Sequence, residues 1–154
     1  VGGAVSSRLN QTIREQHGLA YNVYSSISNT LTCGQFSIYA GTSPEKANKV
    51  LSLMKSEMKK LGKDGVKEDE FEQAKQQTLA GIVMSLDSAS SRMHAVGQRL
   101  LLQGDILSDE KLIEKVRSIT RGSVNEAARE MLSKAPCAAI VGPEINDLDL
   151  EMVF

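Results

Sequence analysis

With 154 residues, 41% of them hydrophobic, the chain is the size of one domain and carries enough apolar side chains for a packed core. Eighteen lysines and arginines against nineteen aspartates and glutamates leave a net charge of −1, which supplies no basic surface for a phosphate backbone and makes nucleic acid an unexpected partner. The two cysteines, Cys33 and Cys137, lack CxxC spacing and suggest neither a zinc knuckle nor a disulfide framework; a reduced compartment is expected, the cytoplasm first and an organelle matrix second. No apolar run nears the length of about 20 residues that spans a bilayer.

The chain opens Val1-Gly2-Gly3 without an initiator methionine and enters a helical pattern within a few residues, so it reads as a piece of a longer polypeptide. Val5, Leu9 and Ile13 recur at four-residue steps and predict a first helix, with Ser6 or Ser7 as its cap. Gly18 is placed to end it in a left-handed conformation, with Leu19 folding back on Ile13 and with Arg14 and His17 in the last turn, where cations suit the helix dipole.

From Ala20 the period changes to two. Tyr21, Val23 and Ile27 alternate against Asn22, Tyr24 and Ser26; beyond a turn at 28–30, Phe36, Ile38 and Ala40 alternate against Gln35, Ser37 and Tyr39, and the two runs predict an antiparallel hairpin. Ser43-Pro44 begins a helix carrying Ala47, Val50, Leu51, Met54, Met58 and Leu61 on one face and ending at Gly62. Glu68, Asp69 and Glu70 form the acidic first turn of the next, lined by Phe71, Ala74, Thr78, Leu79, Ile82, Val83 and Leu86. Further helices are expected over 89–103, ended by Gly104, from Ser108 through Val116, and from a Thr120 cap through Leu132. Cys137 to Val141 is short, apolar on both faces and bounded by Gly142-Pro143, which predicts a buried central strand. Residues 1–143 therefore read as one α+β domain, a small antiparallel sheet with several helices packed on one face, and 144–154 as an acidic tail.

Chemistry is sparse. His17 and His94 stand far apart, and neither HExxH nor HxxEH occurs, so this chain is expected to bind no metal by itself. There is no GxSxG elbow and no phosphate-binding glycine motif; the cysteines, expected in strands, read as small apolar fillers. Arg14 and Tyr21 remain. One reading makes them a dipole-compensating arginine and an ordinary strand aromatic. The other rests on the helix stop, which brings the ends of helix and strand together, so that a guanidinium and a phenol seven residues apart face one site. Such a pair is able to bind a peptide carbonyl and to donate to an oxyanion, but not to hydrolyse a bond alone.

The run GGAVSSRLNQTIREQHGLAYNVYS resembles the signature GG..SSRL...IRE..GLAY of the C-terminal, non-zinc half of the M16 metallopeptidases, the family of pitrilysin, insulin-degrading enzyme and the mitochondrial processing peptidase. The resemblance is dense over the first 45 residues and continues by layout through the Ser43-Pro44 helix start and Ala74-Lys75. It implies one half of a clamshell whose first strands lie upstream of Val1. It also implies a homologous partner half, in the same chain or a separate subunit, carrying HxxEH and the zinc whose bound water attacks a peptide or unfolded segment. Arg14 and Tyr21 match the arginine and tyrosine that this half contributes to catalysis, Arg14 gripping a substrate carbonyl and Tyr21 stabilising the tetrahedral intermediate. The other function the family offers is that of a noncatalytic structural or assembly subunit of the same fold.

Overall fold

In the computed structural model, which describes residues 1–104 and 106–143, the chain resolves into two compact units. The first comprises 1–28, 34–65 and the chain from 126; the second comprises 29–33 and 66–125. The acidic tail expected over 144–154 lies outside the described residues.

In the first unit, the opening helix forms one residue wider than an α-helix, as a π-helix over Asn10–Gln16. Leu9 and Ile13 are fully buried on it, whereas Val5 falls in the turn before the helix and stays exposed, so the expected three-residue stripe shortens to two. The Ser7 hydroxyl is buried without a hydrogen-bond partner and supplies no cap; Gln11 N–H is instead satisfied by the Ser7 carbonyl at 2.9 Å. Gly18 does terminate the helix at φ +59°, a conformation costly for any residue with a Cβ. The stop shares the widened geometry: Gly18 N–H donates to Arg14 O at 2.9 Å and Leu19 N–H reaches back to Ile13 O at 3.0 Å.

The hairpin follows as β1, Asn22–Asn29, and β2, Gly34–Gly41, a two-stranded antiparallel sheet. Its register is marked on one face by the pairs Tyr24–Tyr39 and Ser26–Ser37, the two serine hydroxyls lying 3.0 Å apart. The other face turns Val23, Ile38 and Ala40 into the core, where they meet Leu9, Ile13 and Ala20 together with Val50, Leu53, Met54 and Met58. Helices thus cover one face of the hairpin, as the alternation predicts. Ile27, expected on the buried face, is exposed. Along the outer edge of β1, Ser25 N–H donates to Gly2 O at 3.1 Å, and a Cβ on Gly2 would lie 2.5 Å from that nitrogen. Only glycine allows the backbone so close.

Helix α1, Pro44–Asp64, starts at Ser43-Pro44 as expected but runs past Gly62 to a stop at Gly65, φ +74°. The Gly65 N–H closes on Leu61 O and its carbonyl accepts from Arg8 Nη2 at 2.8 Å, a tie spanning 57 positions. Gly62 lies within the helix, and a Cβ there would stand in ordinary van der Waals contact with Leu132 Cδ1, at 3.5 Å. Glu57, although buried on α1, keeps its charge compensated by Lys60 Nζ at 2.7 Å.

In the second unit, α2, Glu68–Leu86, α3, Ala89–Gln103, and α4, Asp109–Ser118, occupy the expected stretches. Ser88 caps α3 and Ser108 caps α4 through their side-chain oxygens, while Gly104 at φ +69° closes α3. Thr120 caps α5, Arg121–Leu132, accepting from Ser123 N–H at 3.2 Å. Burial is shallow: of the residues expected to line α2, only Phe71 is buried, and Ala74, Thr78 and Val83 face outward. Polar ties do much of the joining. Lys75 Nζ donates to the Arg117 and Ile119 carbonyls at 2.7 and 3.0 Å, and Asn125 Oδ1 accepts from Val66 N–H at 2.8 Å.

The segment from Cys137 to Val141 corrects an expectation. It forms no strand; both cysteines are exposed, and Val141 is 98% exposed.

Candidate functional site

The polar residues singled out by the sequence, Arg14 and Tyr21, lie on either side of the glycine stop at Gly18. Arg14 sits in the last turn of the π-helix, roughly half exposed, with only a loose 3.7 Å approach to Glu15 Oε1. An exposed contact of that length contributes about 0–1 kcal/mol, so the guanidinium is readily given to another acceptor. Tyr21, three residues beyond Gly18, is 89% exposed, while its backbone is fixed by an N–H bond to Gly41 O at 3.2 Å. The stop itself is braced from α1 and from the residues leading into it: Lys46 Nζ donates to Gly18 O at 3.3 Å and the Thr42 hydroxyl donates to Leu19 O. A hydrogen-bonded backbone therefore presents two exposed polar side chains to solvent.

Sequence alternation assigned Tyr24 and Tyr39 to the polar face and left them there. They stack, ring centroids 5.2 Å apart with 30° between planes, and the Tyr39 hydroxyl end lies against Gly41, 3.5 Å from where a Cβ would stand. Gly41 thus meets the Tyr39 ring and the Tyr21 backbone, and all three tyrosines of the chain are exposed. The signal was present as matched tyrosines on two strands, but their pairing depends on a register fixed only by the hairpin.

The histidines are surface residues. His17 Nδ1 lies 2.6 Å from Thr12 O and His94 Nδ1 lies 2.9 Å from Ser90 O, each within its own helix segment. Among the described residues, no group of three or more His, Cys, Asp and Glu side chains is placed to hold a metal ion. No described helix is long and apolar enough to cross a membrane. Among the described residues two carboxyls are shifted, both at helix starts. The Ser43 hydroxyl, then its own backbone N–H, hold Glu45 below the usual carboxylate value; its own backbone N–H, then Ser108, do the same for Glu110.

A helix-rich α+β domain, with an exposed arginine and tyrosine on either side of a glycine stop and helices covering one face of a hairpin, is the class these features define. The chain belongs to the peptidase M16 family: the family described as "Peptidase M16 inactive domain" matches residues 1–78. Among curated proteins it is 34% identical over 143 residues to an uncharacterized zinc protease of Streptomyces coelicolor, covering 93% of this chain and 31% of that protein. It is 32% identical over 146 residues to an uncharacterized zinc protease of Bacillus subtilis, covering 95% and 36%. The chain spans about a third of the length of these relatives. Among solved structures, a conserved protein from Enterococcus faecalis matches with a TM-score of 0.70 at 26% identity, over 83% of this chain and 30% of its own. A predicted insulinase family protease from Yersinia pestis shares the fold at a TM-score of 0.59 and 15% identity, over 82% and 30%. The zinc named in the relatives finds no fitting set of ligands among the described residues of this chain.

Proposed function

We propose that this chain is the substrate-binding C-terminal domain of a zinc-dependent endopeptidase that cleaves peptides or unfolded segments. In this reading Arg14 and Tyr21 are its contribution to the active site, and a homologous half, on the same polypeptide or a separate subunit, holds the zinc. The observation that carries the reading is Tyr21: its phenol stands 89% exposed on a backbone pinned by Gly41, immediately past the stop that carries Arg14. A large aromatic held out on a fixed backbone is suited to meet something beyond its own core. Arg14 donates several fixed hydrogen bonds to a substrate carbonyl and orients it. Tyr21 donates its hydroxyl proton in a hydrogen bond to the oxyanion that develops when that carbonyl is attacked.

The test uses the parent protein together with its zinc-bearing half. Tyr21→Phe removes one oxyanion donor and is expected to lower kcat by about 10²-fold with little change in KM. Arg14→Ala is expected to lower kcat/KM by a comparable factor with a rise in KM. If both variants cleave like the wild type, the active pair fails and a noncatalytic structural or assembly role takes its place. The chain alone is expected to show no peptidase activity and no stoichiometric zinc; tightly bound zinc found by elemental analysis would overturn that.

A further inference from the structure

Helix α1 carries six lysines against three acids, in a chain whose net charge is −1. Val50, Leu53, Met54 and Met58 turn one side of it to the core. Lys59 lies nine residues beyond Val50, about two and a half turns at 3.6 residues per turn, and so falls on the opposite side. With Lys55 and Lys63 it makes a row at four-residue steps, each step rising about 6 Å along the axis. The row borders an open groove of about 450 Å³, to which Lys60 also contributes and in which Ser52 and Ser56 are the short side chains. Asp64 is the one described acid in its lining. Glu57 is buried and engages Lys60 Nζ at 2.7 Å, and among the described residues no ion pair reaches Lys59 or Lys63.

The complementary charge lies further along the same chain: residues 144–154 contain Glu144, Asp147, Asp149 and Glu151 and no lysine or arginine. We infer that this acidic segment docks on the lysine face of α1, with Asp147, Asp149 and Glu151 meeting the row of Lys55, Lys59 and Lys63. Spacing supports the match. The three acids stand at every second residue, about 6.6 Å apart when the segment is laid out extended, against about 6 Å per step of the lysine row, so three pairs form in one register. Reach supports it too. The chain leaves α5 beside the C-terminal end of this face, because a Cβ on Gly62, next to Lys63, would stand 3.5 Å from Leu132 Cδ1. The fifteen residues from Leu132 to Asp147 span up to about 50 Å, whereas Lys63 and Lys55 are about 12 Å apart along the helix. One exposed ion pair is weak, and a lysine-rich helix face is ordinarily solvated. A tether changes that balance: it supplies an effective concentration on the order of millimolar, so millimolar affinity is enough to fill the groove about half of the time. The inference goes beyond the proposed function and stands apart from it, since it involves neither Arg14 nor Tyr21.

The test is zero-length cross-linking of the parent protein with a water-soluble carbodiimide, which joins a carboxylate to an amine only where the two already touch. Peptide mass spectrometry is expected to find Asp147, Asp149 or Glu151 joined to Lys55, Lys59 or Lys63 at low salt. In 1 M salt, where the Debye length falls to about 3 Å, the yield should drop by about tenfold. Lys46, on the same helix but directed to Gly18 O, is the internal comparison. Equal yield at Lys46, no link to the row, or a yield indifferent to salt would each overturn the docking. An equal mixture of light and isotopically heavy protein decides whose segment is bound: links confined to one isotope support docking within the chain, and light–heavy links at the statistical yield would give the groove to a second copy and overturn it. Lys59→Glu with Lys63→Glu should abolish the links. Adding Asp147→Lys and Asp149→Lys to that variant should restore them between the same positions with the charges exchanged, and failure to do so would show that charge is not what holds the segment. Leu148→Ser and Leu150→Ser should leave the yield unchanged; its loss would reassign the contact to apolar side chains and overturn the pairing.

Discussion

The two units of the molecule are held together by different forces. In the first, Leu9, Ile13, Ala20, Val23, Val50 and Leu61 are buried, and a hairpin and two helices share most of that apolar core; in the second, Phe71 is the buried hydrophobic among the described residues. On α3, Met93, Val96, Leu100 and Leu101 remain exposed. What the second unit lacks in burial it supplies partly in polar ties, Lys75 to two carbonyls and Arg121 to Glu68 at 2.9 Å. An amphipathic helix buries its stripe only where a second apolar surface meets it. The sheet face provides that surface in the first unit, and the candidate site is built at its rim.

The largest test of this contrast is Ile13→Ala, which opens a cavity in the first unit and is expected to destabilise it by about 2–5 kcal/mol, read as a fall in the urea midpoint. If Phe71→Ala costs as much, the contrast breaks. Gly2→Ala should cost about 1–3 kcal/mol because the added methyl collides with Ser25 N and forces the strand aside; an unchanged midpoint would show that the edge contact gives way easily. Lys75→Met removes both hydrogen bonds to the carbonyls after α4, with an expected loss of about 1 kcal/mol and faster amide exchange confined to 109–120. Leu101→Gln, on the exposed face of α3, should change stability by less than about 0.5 kcal/mol.

The smallest effect concerns pH. Glu45 has a lowered folded value, so the stability it contributes is present above the ordinary carboxylate pKa and is lost as pH falls through that lowered value. Glu45→Gln should therefore lower stability slightly at neutral pH, leave acid pH nearly unchanged, and so flatten the acid side of the profile. Equal loss at both pH values would mean that the side chain acts by packing.

Much of the fold was legible because local rules governed it. Ser43-Pro44, Ser88, Ser108 and Thr120 begin their helices as their side chains require, Gly18 and Gly104 end theirs, and the period-two runs form the hairpin. The misreadings share a cause, which is dependence on distant partners. Gly62 looked like a stop, but the helix continues to Gly65, whose carbonyl is held by Arg8 from 57 positions away. Cys137 to Val141 had the composition of a central strand and met no strand edge. Ile27 kept its parity but found nothing to cover it. At the site, the residue types and the helix stop between Arg14 and Tyr21 were readable; the exposure of Tyr21 and the stacking of Tyr24 on Tyr39 were not.

The sequence by itself determined which segments coil and which extend, and it carried the signature that places the chain in the M16 family, because caps, periodicity and motif spacing are properties of neighbouring residues. Tertiary structure decided which apolar stripes are covered, where α1 ends, the widening of the first helix, and the stacking of Tyr24 on Tyr39. Those outcomes depend on register and on contacts between segments tens of residues apart, which no local pattern encodes.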